Sequence, residues 1–110
     1  ESAAIEAARL SFNASVKATA DANPDRLAFA DVNKAFEDFL TARIAVLNNV
    51  TLTPNINPPT GIYSEDGIHP NSRGYAFISR TIIDAINTKF GATVPLTDVS
   101  KYKATALPIP

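Results

Sequence analysis

The stretch "SEDGIHPNSRGYAF", 64–77, holds the one histidine of the chain, His69, three residues after Asp66 and directly before Pro70. Imidazole is the side chain that changes charge closest to neutral pH, so it can take and return a proton there. Gly67 lets the backbone between the two residues turn sharply. Pro70 holds His69 extended and can open a following helix, which presents the ring at the lip of that helix. Asp66, on the other arm of the turn, is then within reach of Nδ1–H. That contact would fix the tautomer and leave Nε2 free to deprotonate a nucleophile. The competing reading is structural. An aspartate ahead of a helix is often its N-terminal cap, and a histidine beside proline is often a polar turn residue.

Several elements must hold this stretch in place. Residues 2–22 are alanine-rich, with Ile5, Ala8, Phe12, Val16 and Ala20 at helical spacing, which predicts an amphipathic helix ended by Asn23-Pro24. The short apolar run in 26–32 reads as a buried strand of a parallel sheet. Phe36, Phe39, Leu40, Ile44 and Leu47 predict a second helix over 33–48. Residues 49–65, with three prolines in "TLTPNINPPT", read as a loop, more as a plain surface connection than as a rim of the site. After the block 66–70, residues 71–90 predict a third helix with Tyr75, Ile78, Ile82 and Ile86 in line, Phe77 and Ile83 widening the apolar surface to more than one packed side, and Gly91 as its C-terminal cap. Residues 91–110 read as an extended strap across the surface. Helix, strand and helix in that order predict a layered α/β architecture.

Beyond the Asp-x-x-His pair, "DGIHPNSRGYAFIS" closely resembles the last sequence block of the SGNH (GDSL-like) hydrolases, in which such a pair supplies two members of a Ser-His-Asp triad. The similarity runs on through Asn71, Gly74, Tyr75 and the apolar helix. The ending "IIDAINTKFGATVPLTDVSKY" is similar to the tail of GDSL-like lipases and acylhydrolases of the Bacteroidetes, and "RLAFADVNKAF" to the strand and helix before the block. The resemblance implies the C-terminal portion of a three-layer α/β/α, flavodoxin-like fold. It implies His69 as general base and Asp66 as its orienting carboxylate. The substrate would be an ester, such as an acylated sugar, a lipid or a small ester, and no metal or organic cofactor is implied. No Gly-Asp-Ser block is present, and none of the serines follows a strand in that context, so the nucleophile is expected in a missing N-terminal part of the same enzyme. The segment alone is expected to be inactive. An exported bacterial enzyme is the compartment that the resemblance suggests. The alternative is a non-catalytic domain, for instance a carbohydrate-binding one, that keeps the fold without the chemistry.

Composition narrows the remaining classes. At 110 residues the chain suits a single small unit with a modest core. Ten basic against eleven acidic residues, with no basic run, give no electrostatic case for nucleic acid. Without cysteine there is no disulfide, thiolate nucleophile or cysteine-ligated zinc. No apolar run is long enough for a membrane span. A start at Glu1 without methionine is expected of a processed product, a trimmed chain or a piece of a longer one. Arg73 and Arg80 lie near the motif, where solvated helix arginines are commoner than contact with an anionic group of a substrate, and Tyr63 reads equally as a rim residue or as an aromatic packed under the loop.

Overall fold

Alanine dominates the first helix and leaves it little to bury. The computed structural model describes residues 2–106. In it α1, Ser2–Asp21, buries only Ala20, while Ile5, Phe12 and Val16 of the expected apolar stripe are 66%, 70% and 43% exposed. The helix forms as its spacing predicts, but most of its apolar stripe, Ala20 apart, is left uncovered among the described residues. Its side-chain link to the rest is Arg9, whose guanidinium donates to Glu37 at 3.0 Å.

Residues 26–32 are not a strand. Arg26 and Leu27 close a turn onto the carbonyl of Asn23 at 3.1 and 3.0 Å. Residues 27–31 have no regular structure, Val32 N–H turns back onto the Ala30 carbonyl at 2.9 Å, and Val32 already begins α2, Val32–Ala42. A strand is defined by its ladder. The N–H groups of residues 28–31 find no acceptor among the described residues.

The second helix starts on Asp31, whose carboxylate accepts from Lys34 N–H at 2.9 Å. It stops earlier than its apolar spacing suggests. Arg43 takes the left-handed conformation (φ 62°) and the chain leaves as a hairpin. Strands β1, Ala45–Leu47, and β2, Val50–Leu52, pair antiparallel with Leu47 opposite Val50. The turn between them uses Asn48 and Asn49 at φ 50° and 61°. Asparagine tolerates this region better than most residues, and paired positive φ angles give a turn whose twist matches a hairpin. Among the described residues the architecture is therefore three helices and one small antiparallel two-stranded sheet. The observed strands are not the expected parallel one.

The proline-rich loop returns the chain beside β2. Ile62 N–H donates to the Thr53 carbonyl at 3.2 Å, and Thr53 and Gly61 form a parallel bridge. This lays residues 61–63 under the start of α3, Ser72–Phe90. The buried core joins Phe39, Leu52, Ile62, Ala76, Phe77 and Val99. Phe36 stands edge-on to Phe77 with ring centres 5.4 Å apart. On α3 the buried side chains are Ala76 and Phe77, whereas Tyr75 and Ile82 are 55% and 41% exposed, so burial falls on Phe77 of the widened surface and not on the expected line itself. The tail is extended apart from a 3-10 turn, Val99–Lys101, whose Val99 fills the core. The part of the expected tail over 107–110 lies outside the described residues. No described helix is long and apolar enough to cross a membrane.

Candidate active site

Residues 64–70 form a projecting loop closed at its neck. Ser64 N–H donates to the His69 carbonyl at 2.8 Å, and Tyr63 bridges Pro70 in antiparallel fashion. One step further, Asn71 N–H donates to the Ile62 carbonyl at 2.9 Å. Gly67 adopts φ +70° at the tip, in open space, the conformation that the turn requires and that glycine alone adopts freely.

Within this loop Asp66 divides its two oxygens between two tasks. Oδ1 accepts from the N–H groups of Ile68 and His69, both at 2.9 Å, and from the Ser64 hydroxyl at 2.7 Å. Oδ2 meets Nδ1 of His69 at 2.5 Å. The pair foreseen from the sequence is thus brought into direct contact. The His69 ring, chiefly, and then the Ile68 N–H, the Ser64 hydroxyl and the His69 N–H hold the Asp66 carboxyl well below the usual carboxylate range. An ionised carboxylate only accepts, so Nδ1 carries a proton toward it, and in a neutral ring Nε2 is then the free base. The His69 side chain is 72% exposed, and no described residue hydrogen-bonds Nε2. Ser64, the nearest serine before the pair in sequence, spends its hydroxyl on Asp66 and is not a nucleophile placed on the ring.

The cap of α3 is Asn71, whose Oδ1 accepts from Gly74 N–H at 3.0 Å. Asp66 is therefore not that helix's cap, although it does organise the turn. Ser64, Asn71 and Thr105 were not foreseen as parts of the site. Asn71 alone had a readable signal, a capping residue just after proline at a helix start. Of the loop expected over 49–65 as a plain connection, residues 50–52 form β2, and the following stretch contributes the Gly61 carbonyl to Asn71 at 2.8 Å and the Pro59 carbonyl to Arg73 at 2.7 Å. Arg73 is occupied by backbone carbonyls, Tyr102 at 3.0 Å included.

Beside Asp66 lies an open depression of about 510 Å³ lined by Ser64, Glu65, Asp66, Thr105 and Ala106. A cavity of about 520 Å³, among α1, residues 27–31 and α3, involves neither member of the pair. Among the described residues there is no cluster of histidine and carboxylates able to hold a metal. Comparison with known proteins finds no family model, no curated protein and no solved structure that matches the chain.

Proposed function

We propose that this chain is the C-terminal part of a serine ester hydrolase of the SGNH type, with a three-layer α/β/α fold when complete. The observation that carries the reading is the division of labour at Asp66. One oxygen shapes the loop, and the other holds Nδ1–H and leaves Nε2 unengaged on an exposed ring. In the reaction, a serine hydroxyl from a preceding part of the enzyme gives its proton to Nε2 as its oxygen attacks the ester carbonyl. The tetrahedral intermediate collapses to an acyl-serine, and the leaving alcohol takes the proton from the imidazolium. Water then repeats the sequence and releases the acid. Asp66 stabilises the imidazolium without accepting its proton. Acylated sugars, lipids and small esters all fit this chemistry.

A second reading draws on the same carboxylate. Three of the hydrogen bonds to Asp66 serve the loop itself, which suits a non-catalytic domain that uses the turn as architecture. The two part on one experiment with the complete protein. A fluorophosphonate probe is expected to label a serine outside these residues, with p-nitrophenyl ester hydrolysis, and His69→Ala is expected to suppress both. A complete, folded protein that neither reacts with the probe nor hydrolyses esters overturns the hydrolase reading.

A further inference from the structure

Residues 65–69 are all exposed, so nothing packed over the loop holds its two arms at their spacing. Asp66 and His69 stand on opposite arms. Within the loop Asp66 itself bonds Ser64, Ile68 and His69, and at the base of the loop the neck is tied from below by one buried polar side chain.

That side chain is Asn71, 9% exposed. Capping α3 requires only an oxygen, which serine, threonine or aspartate would supply equally well. The carboxamide nitrogen does something a cap does not need. Nδ2 donates to the carbonyls of Gly61 at 2.8 Å and Tyr63 at 3.2 Å, and to the Thr105 hydroxyl at 3.2 Å. Thr105 in turn donates to the Tyr63 carbonyl at 2.8 Å, so its hydroxyl both accepts and donates within one triangle. Tyr63 is the residue that bridges Pro70. The tail reaches this point because Arg73 N–H holds the Lys103 carbonyl at 3.2 Å.

We propose that Asn71 and Thr105 are positioning residues for His69, the tail hydroxyl and the buried carboxamide together setting the neck that keeps Nδ1 on Asp66. The catalytic consequence rests on the hydrolase reading, whereas the geometric one does not. Because His69 is the single histidine, a chain labelled with 15N-histidine reports one ring, in monomer or dimer alike. Two-bond 1H–15N correlation at a pH where the ring is neutral is expected to show mainly the Nδ1–H tautomer. Thr105→Val, which removes the hydroxyl at nearly constant volume, is expected to lose that majority, and Thr105→Ser to restore it. Asn71→Ser keeps the capping oxygen and is expected to behave like Thr105→Val. Should it fail to fold, the milder tail variant carries the test. Gly91→Ala, destabilising but outside the knot, is expected to leave the tautomer unchanged. In the complete enzyme Thr105→Val is expected to lower kcat about 10²-fold, the scale of a small misplacement of a catalytic group, with KM little changed. A folded Thr105→Val chain with the wild-type tautomer overturns the proposal. A shifted tautomer in a complete protein that hydrolyses no ester upholds the positioning and refutes the hydrolase reading.

Discussion

Because Asp66 builds the turn through Oδ1 and orients the ring through Oδ2, substitutions at the two members of the pair should separate those tasks. His69→Ala removes only an exposed ring. In the complete enzyme kcat should fall about 10³-fold or more, with little change in melting temperature. Near-normal turnover by a well-folded variant would contradict the assignment. Asp66→Asn keeps an oxygen for the turn, but its amide can hold the wrong tautomer and cannot offset an imidazolium. A kcat loss of roughly 10³–10⁴-fold at nearly constant stability is expected, whereas a large stability loss with unchanged turnover would favour the architectural reading. The carboxyl also carries a pH signature. Its folded pKa lies below the unfolded value of about 3.9, so its contribution to stability is complete above about pH 4 and fades as acid titrates the folded group. A carbonyl-carbon NMR titration of the folded chain should place the Asp66 midpoint clearly below that of an ordinary aspartate. An unshifted midpoint would mean that the four donors do not hold the carboxylate as described.

At the scale of elements, two glycines, one within α3 and one capping it, should fail for different reasons. A Cβ on Gly74 would run into the Ile62 carbonyl and sit 2.8 Å from Cβ of Pro70, with backbone on one side that cannot swing away. Gly91 has open space and a φ of +61°. Gly91→Ala should cost about 1 kcal/mol, largely recovered by Gly91→Asn, and Gly74→Ala at least roughly 1–3 kcal/mol. Thermal melts that reverse this order would refute the close approach of α3 to residue 62. The three helices were legible in the sequence because apolar spacing and caps act within a turn or two of their own residues. Their lateral orientation was less so: Tyr75 and Phe77 are both large and aromatic, and only tertiary packing decides that Phe77 is the one buried. Asn48-Asn49 did carry a hairpin signal, but the apolar residues before it continue a helical period, and the stop lies in the left-handed turn of Arg43, a residue that seldom announces one. The stretch 26–32 has strand composition, and composition cannot supply the neighbour that a strand requires. Asp66 and His69 were legible because their contact closes over three residues, while Thr105 comes from the far end of the chain and leaves no local trace near them.

The whole molecule is broad and thin, 53 × 42 × 20 Å, with a radius of gyration of 15.8 Å where a compact chain of this length has about 13 Å. Exposed Ile5, Phe12 and Val16 lie on α1, and N–H groups of residues 28–31 without an acceptor among the described residues follow it. Apolar surface and free backbone groups on one segment invite pairing with another chain. The 110-residue chain by itself should therefore self-associate, and light scattering across a concentration series checks it, a stable monomer at all concentrations being the contrary result. It should also lack ester hydrolysis, since a base without a positioned serine has nothing to activate, and turnover abolished by a serine-directed inhibitor would refute that. One further consequence concerns time. The Asp66–His69 contact closes a loop of three residues and the Thr105–Tyr63 bond one of forty-two. Short loops close within about 10–100 ns, but a ribosome adds only about 5–20 residues per second, so the acid–base pair leaves the ribosome seconds before the threonine that sets it. During synthesis the pair is made early and loosely, and it acquires its working geometry only when nearly all of this chain has been built.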